Sequence, residues 1–559
     1  PAWGGSTRLP KLIGLDKALG IAIPGKQLVA KKARALGLVD EVVHREQLDQ
    51  AAKKMLKRGR RVDSPFYAVN LPGVRELVAS MALRKTLAKT RGNYPAQERV
   101  IEVMKKSLAA SRDQSLRNEL EAMLDLAVTN ACRNLLNLFF LREGAKKSVA
   151  SDAVTRKPRA LDQVAVIGAG VMGAGIAHWS AARGCRVALK DLQADAIAAG
   201  LATIRKRIAE AVKRRIFTKS EAQAVLARVT PVADEFSFGS TDLVIEAAVE
   251  KLDVKKVIFQ EIAESASAET ILATNTSALP IHELAKQTPN PERVIGLHFF
   301  NPVHRMPLVE VIHTPLTNPD VVADAVAFVR RLGKTPVVAK DSPGFVVNRI
   351  LMPYLIEAAY LFSRHVDAQR IDRVMLDFGM PMGPLRLLDE VGLDVAQHVA
   401  QTLSEAMPGR FTTPEVLQRL IDRGDLGRKS EKGFFNYGSS RSKDDNLEVN
   451  PAALSACVDE PETGVADDNV LRWRLALLMS NEALHCLEEK VADSPGDIDL
   501  AMVMGTGYAP FQGGPLRYCE TRGLQRTADQ LHDLWESTGR EIFKPAEYLR
   551  LHDAILSRD

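Results

Sequence analysis

His298 and Glu310 are residue types that acid–base chemistry needs, and the chain between them explains how they could meet. The stretch His298-Phe299-Phe300-Asn301-Pro302-Val303-His304-Arg305-Met306-Pro307-Leu308-Val309-Glu310-Val311 sets two apolar runs on either side of a loop punctuated by prolines. That pattern predicts a hairpin centred near His304, and its symmetric register puts His298 opposite Glu310. Directly paired cross-strand Cβ atoms lie about 4.5 to 5.5 Å apart, within hydrogen-bonding reach for these side chains. The carboxylate would then fix the imidazole tautomer and stabilise the imidazolium formed when the ring accepts a proton. This chemistry suits alcohol oxidation, where a hydroxyl proton leaves as a hydride departs. A structural histidine capped by a surface glutamate is the other outcome the same pattern allows.

A second motif supplies the hydride acceptor. Val164-Ala165-Val166-Ile167 reads as a buried parallel strand, and Gly168-Ala169-Gly170-Val171-Met172-Gly173 follows at once as G-x-G-x-x-G. The first glycine allows the tight turn, the second lets a pyrophosphate approach the backbone, and the third lets the following helix pack close. The helix that starts there points free N–H groups at the anion. A second strand, Arg186 to Lys190, ends in Asp191, placed to accept both ribose hydroxyls and to repel a 2′-phosphate. NAD rather than NADP is the expected cofactor. A glycine-rich turn with no ligand is the bland alternative.

The elements that must position these groups can be read along the chain. Residues 1–60 carry short amphipathic helices broken at Gly14, Gly25 and Gly37, too few to bury a core of their own. Residues 61–160 read as a connector: one short helix among the breakers of 61–95, then a single long helix from Leu116 to Arg142 acting as a strut, then a solvated linker from Gly144 to Pro158. The nucleotide-binding domain spans 161–340, with further strands at Leu243–Glu246, Ile271–Ala273, Val294–His298 and Thr335–Ala339, as a doubly wound α/β sheet requires. Beyond it the pattern is helical and duplicated. Glu357-Ala358, Ile371-Asp372, Gly379, Gly383-Pro384-Leu385-Arg386 and Gly392 recur as Glu482-Ala483, Ile498-Asp499, Gly507, Gly514-Pro515-Leu516-Arg517 and Gly523. The first copy takes 341–437, a polar linker 438–470, and the second copy 471–559, two units expected to bury matching faces against each other.

Composition excludes several classes. A chain of 559 residues is too long for one core, and 46% apolar with 26% charged residues is ordinary for a globular protein. The formal charge of +6 is small for this length and its basic residues alternate with acids, which argues against nucleic acid, while a mildly basic surface would suit an acyl carrier such as coenzyme A. Five scattered cysteines without CxxC spacing indicate neither a disulfide framework nor a metal site. The longest apolar clusters fall short of a transmembrane span. The first residue is Pro1 rather than Met, so the chain reads as a fragment, a processed product or an excised piece.

With these motifs in hand, the chain closely resembles the 3-hydroxyacyl-CoA dehydrogenases, in particular the multifunctional alpha subunits of fatty-acid β-oxidation complexes. The likeness rests on GAGVMGAGIA at 168–177, DLVIEAAVEKLDVKK at 242–256, ATNTSALP at 273–280, GLHFFNPVHRMPLVEV at 296–311, DSPGFVVNRI at 341–350 and PMGPLRLLDEVGLD at 381–394. It implies a Rossmann-like NAD-binding domain followed by a duplicated all-helical domain, and an NAD-dependent oxidation of L-3-hydroxyacyl-CoA. By motif position, His298 and Glu310 are similar to that family's catalytic pair. Ser277 and Asn348 match the residues that hold the reacting oxygen and the thioester carbonyl, although each could otherwise be a helix N-cap and an ordinary helix-face amide. Glu250 and Lys255 match residues beside the nicotinamide ribose and pyrophosphate, and Asn301 one near the nicotinamide. Residues 1–60 resemble the tail of an enoyl-CoA hydratase (crotonase) domain, through Trp3 to Pro10 and Ala35 to Asp40, without that domain's catalytic residues. This chain is therefore expected to lack hydration activity. The resemblance also implies an acyl-CoA substrate, a 3-ketoacyl-CoA thiolase partner and a cytoplasmic location, with mitochondrion or peroxisome left open. The alternatives are a non-turning-over NAD-binding scaffold and a longer protein that acts mainly as a hydratase.

Overall fold

The computed structural model describes residues 3–59, 67–146, 154–233, 236–438, 447–457, 460–462, 464–465 and 467–549. The chain divides into two compact units, 1–136 and 137–559.

The first unit is helical: α1 Gly5–Ile13, α2 Leu15–Ala22, α3 Ala30–Leu36, α4 Leu48–Arg58, α5 Val74–Thr90, α6 Pro95–Ser107 and α7 Arg112–Ala127. Its core joins Ile13, Leu15, Ala18 and Leu19 to Ala79, Ile101 and Met104. α1 and α2 thus share their core with the segment expected to be a connector. That expectation fails at α5, whose seventeen residues are a full helix, because Ala79 and Thr86 have a buried face to pack against. The breakers among 61–66 lie outside the described residues. The opening helix is held by buried Glu119 of α7, which accepts N–H bonds from Gly4 and Ser6 and the Ser6 hydroxyl, so a carboxylate sits at the positive end of α1.

The single strut over 116–142 is two helices instead, α7 and α8 Asn130–Ala145. The hydroxyl of Thr129 donates to the Leu126 carbonyl and accepts from the Cys132 N–H, so one side chain ends a helix and caps the next. An apolar stripe continues through such a break because hydrophobic periodicity does not register caps. In the second unit, Leu138 belongs to the large helical core and Leu141 packs over Gly496. The supposed solvated linker is partly tied down. Arg156 and Arg159 both bond the fully buried carboxylate of Asp324. Residues 147–153 lie outside the described residues.

The sheet of the second unit alternates with helices: β1 Gln163–Ile167, α9 Val171–Ala182, β2 Arg186–Lys190, α10 Ala194–Lys213, α11 Lys219–Leu226, β3 Val229–Val232, β4 Leu243–Glu246, α12 Leu252–Ser265, β5 Ile271–Thr274, α13 Ile281–Ala285, β6 Val294–Phe299, β7 Leu308–His313, α14 Pro319–Arg331 and β8 Thr335–Lys340. The strand order is β3-β2-β1-β4-β5-β6-β7-β8, parallel except where β6 meets β7. Both faces are buried, which explains the continuous apolar runs. Val164 and Val166 face one core while Ala165 faces the other, and Leu243 and Ile245 against Val244 repeat the alternation. The chain reverses direction across the sheet between β1 and β4, which places a crevice at their carboxyl ends.

The helical part runs α15 Val347–Ser363, α16 Ala368–Phe378, α17 Pro384–Val391, α18 Leu393–Ala406, α19 Glu415–Asp422, α20 Pro451–Ser455, α21 Asp468–Glu488, α22 Pro495–Thr506, α23 Pro515–Arg522 and α24 Leu524–Thr538. The repeated motif maps helix on helix: α15–α18 correspond to α21–α24. In each copy a buried aspartate on the second helix accepts N–H bonds from the start of the third: Asp372 from Leu385 and Arg386, Asp499 from Leu516 and Arg517. The copies also interlock. Arg349 of the first bonds Glu482 of the second at 2.7 Å, and Arg474 of the second bonds Glu357 of the first at 2.8 Å. Arg410 and Arg540 add a second cation to each glutamate. The expected linker 438–470 is only partly described, and its described residues are not free chain: Ala453, Ala456 and Val465 are buried in the helical core. Among the described residues no helix is long and apolar enough to cross a membrane.

Candidate active site

β6 and β7 pair antiparallel with His298 opposite Glu310, the register expected from the sequence. The imidazole Nδ1 lies 2.7 Å from Glu310 Oε2, and both side chains are buried. The surface-capped alternative is therefore excluded, since Glu310 has no exposed area. Its other oxygen, Oε1, accepts the N–H groups of Val346 and Val347, each at 3.1 Å. These open α15, so the carboxylate is held at the positive end of a helix while its partner oxygen holds the imidazole. With Nδ1 committed to the carboxylate as donor, Nε2 carries the lone pair. The ring packs against Phe300, centroids 4.4 Å apart, and Phe345 at 5.8 Å. Phe345 has φ 52, a left-handed conformation that a bulky residue adopts at a cost, directly before the two N–H groups that hold Glu310.

Asn348 stands on the next residue of α15, half-buried, and its Nδ2 donates to the Ser277 carbonyl at 3.0 Å. Ser277 follows β5 and is no helix N-cap, because α13 starts later with Pro280 before it. Its hydroxyl and N–H both donate to Glu250 Oε1, at 3.1 and 2.8 Å, and Thr276 donates to the same oxygen at 2.6 Å. Burial pushes the Glu250 carboxyl up, but nearby Lys255 and the Thr276 and Ser277 hydrogen bonds more than offset it, leaving it below the usual carboxylate range. Lys255 is buried and lies 3.3 Å from Glu250, though its closer partner is Glu246, at 2.7 and 2.8 Å. His298 and Glu310 thus form one bonded pair and Asn348, Ser277, Glu250 and Lys255 a second bonded run, the two joined by the backbone at the start of α15.

The sequence reading missed Glu246 and Thr274. Glu246 ends β4 with no exposed area and accepts from Lys255, Thr274 and the Ala248 N–H. The available signal was a lone acid closing the apolar strand Leu243-Val244-Ile245.

The glycine loop fits a dinucleotide. Gly168 has φ 97, and a Cβ there would stand 2.5 Å from the Ala247 carbonyl oxygen; one on Gly173 would stand 1.8 Å from that of Gly168. Gly170 is different. It is exposed, with nothing within 4 Å of its Cβ position, so its backbone is open to an approaching phosphate at the start of α9. Val171 is exposed at the first helical position, and Met172 packs towards the sheet core. Asp191 accepts the Ala169 N–H at 2.7 Å through one oxygen and the Gln193 N–H at 3.1 Å through the other. Each oxygen keeps a lone pair for a ribose hydroxyl. Asn301 is exposed on the loop after β6.

Comparison with known proteins gives the family of the chain. The family model of the 3-hydroxyacyl-CoA dehydrogenase NAD binding domain matches residues 163–342, and that of the 3-hydroxyacyl-CoA dehydrogenase C-terminal domain matches 344–437. The fatty acid oxidation complex subunit alpha of Vibrio vulnificus is 38% identical over 556 residues, 98% of this chain and 77% of that protein. The subunit of the same name from Idiomarina loihiensis is 37% identical over 562 residues, 98% of this chain and 78% of that protein. A solved 3-hydroxybutyryl-CoA dehydrogenase from Escherichia coli K12 superposes with a TM-score of 0.63 at 32% identity, covering 70% of this chain and 98% of that one. The dehydrogenase part of multifunctional enzyme 1 from C. elegans shares the fold, with a TM-score of 0.55 at 22% identity over 75% of this chain and 99% of that one. The chain belongs to the family of fatty acid oxidation complex alpha subunits and is an NAD-dependent 3-hydroxyacyl-CoA dehydrogenase.

Proposed function

We propose that His298 is the general base of the oxidation, taking the C3 hydroxyl proton of a 3-hydroxyacyl-CoA at Nε2 as the hydride leaves C3 and the 3-ketoacyl thioester forms. The observation that carries this is the buried 2.7 Å bond from His298 Nδ1 to Glu310. It fixes the tautomer with Nε2 free, and the carboxylate stabilises the imidazolium in a site where water does not screen the pair. Bound NAD supplies the hydride acceptor. The open backbone at Gly170 and the first turn of α9 would hold its pyrophosphate, Asp191 its ribose hydroxyls, and Glu250, Lys255 and Asn301 the nicotinamide end. Ser277 and Asn348 would hold the reacting oxygen and the thioester carbonyl, exchanging their present partners Glu250 and the Ser277 carbonyl for substrate.

The name of the relatives, subunits of a fatty acid oxidation complex, supports a partner subunit for this chain as well. A 3-ketoacyl-CoA thiolase is the partner whose substrate is this reaction's product, and the bacterial relatives favour the cytoplasm. The test of the central assignment is His298→Ala, expected to lose about 10² to 10⁴ in turnover with NADH binding, followed by fluorescence, kept. Wild-type turnover in that variant would remove the proposed base. Asp191→Ala is expected to weaken NAD and relax discrimination against NADP; unchanged discrimination would show that this carboxylate serves only the loop.

A further inference from the structure

Outside the His298–Glu310 pair, the second unit buries a cation with no acid beside it among the described residues. Lys334, at the turn between α14 and β8, is 6% exposed. Its Nζ donates to the carbonyl oxygens of Val303 at 2.5 Å and Met306 at 2.6 Å. Around it also lie the Trp179 ring, 5.3 Å from Nζ to the centroid, Arg183, whose guanidinium covers the same ring at 4.6 Å, and His304 of the loop itself, which feels the ammonium charge. Burial, then Arg183, pushes the ammonium down to about 8, so it remains charged at neutral pH. Burying a charge on carbonyls and an aromatic face alone costs stability, and a methionine would fill the same space without that cost. What the charge gains is control of one loop.

That loop, 300–307, is the whole connection between the strand carrying His298 and the strand carrying Glu310. Val303 and Met306 lie on its two arms, so one ammonium spans it. The N–H of Thr335, the next residue, donates to the Pro307 carbonyl at 2.8 Å and fastens the loop's exit to the edge of β8. At the loop's entry Phe300 lies 4.4 Å from the His298 ring. From this geometry we infer that Lys334 is a positioning residue for the oxidation, clamping the β6–β7 loop so that the Phe300 wall and the His298–Glu310 register stay fixed. The inference rests on the assignment of His298 as base. It requires no contact between Lys334 and substrate.

Misplacing a reacting group by about 1 Å costs on the order of 10²-fold. Lys334→Met keeps the stem and removes the charge. In the full chain it is expected to lower kcat about tenfold to a hundredfold, while KM for the 3-hydroxyacyl-CoA and the Kd for NADH, read by fluorescence titration, stay within about twofold. The glycine loop that would hold the cofactor does not touch this lysine. A role in stability alone would lower Tm and leave kcat well below Tm unchanged, and wild-type kcat in Lys334→Met overturns the inference. If that variant does not fold, Lys334→Gln replaces it, because a shorter neutral amide cannot span both carbonyls; wild-type kcat there overturns the inference equally. His298→Ala run in parallel separates the two proposals. Activity surviving in His298→Ala sinks the base, whereas an inactive His298→Ala beside a fully active Lys334→Met sinks only the clamp.

Discussion

The two helical copies are built alike and used differently. Each starts with a long helix, turns through an Asp-capped helix start, and extends arginines to a glutamate of the other copy, Arg349 and Arg410 onto Glu482, Arg474 and Arg540 onto Glu357. The difference lies at the first turn of the leading helix. In the first copy that turn supplies the Val346 and Val347 N–H groups to Glu310 and the side chain of Asn348 to Ser277. Counting from the paired arginines, Asn348 precedes Arg349 as Trp473 precedes Arg474, and Trp473 packs partly buried against the helical core. The first turn of one module thus meets residues of the candidate site, while the matched position of the other meets the helical core.

The two copies differ most at those matched positions. Asn348→Ala removes a donor assigned to the thioester carbonyl and is expected to cost about 10² to 10³ in kcat. Trp473→Ala, at the same place in the second copy, is expected to lower Tm and leave kcat of the folded enzyme within about twofold, since it removes packing alone. Equal losses of kcat in the two variants would show that the second copy takes part in catalysis.

The reciprocal clusters come next. Glu357 has no exposed area and Glu482 is 3% exposed, so replacing either by Gln takes a counter-charge from buried guanidinium groups, at up to about 3 to 5 kcal/mol by urea unfolding. The cost should be smaller for Glu482→Gln, because Arg349 and Arg410 keep Glu489 as a second carboxylate, whereas Arg474 keeps only Glu462 at 3.5 Å among the described residues. Catalysis should separate them. Arg349 neighbours Asn348 in sequence and also donates to Ser342 at 3.3 Å, so Glu482→Gln loosens the turn that holds Glu310 and should lower kcat about tenfold, or 1.4 kcal/mol of barrier. Glu357→Gln should not. A kcat loss shared by both would mean that the clusters act on the site only through global stability.

Much of this arrangement was readable from the chain, for identifiable reasons. The pairing of His298 with Glu310 follows from apolar runs and two prolines, because side-chain alternation and loop symmetry together fix a register. The duplication followed from repeated Gly-Pro-Leu-Arg spacing. The reciprocal arginines did not, although both sit at the same distance before the repeated glutamates, because partner choice across copies is tertiary. The break between α7 and α8 was hidden by a periodicity that Thr129 interrupts only through its hydroxyl. The shared core of α1, α2, α5 and α6 was invisible for the same kind of reason: each helix reads as weakly amphipathic until its partner is known. Glu246 and Lys334 look like ordinary strand-end charges, and only their burial reveals them.

The smallest expected effect concerns how the first copy responds to pH. Burial pushes Asp372 up to about 7, against the opposing pull of the Leu385 and Arg386 N–H bonds, and pushes Asp389 up to about 7 in the same copy. The unfolded chain releases these protons near pH 4. Between about 4 and 7 the folded state therefore binds more protons than the unfolded one, and stability falls as pH rises through that window, levelling off above it. A shift of about three units would correspond to about 4 kcal/mol per group. Relaxation of the surroundings around the charged carboxylate reduces what is realised, and a change of about 1 to 2 kcal/mol is expected for Asp372 across the window. Asp372→Asn cannot titrate, so its urea midpoint should change less than wild type between pH 5 and pH 8. Equal changes in the two proteins would mean that Asp372 is ionised throughout, and that the backbone bonds it accepts outweigh its burial.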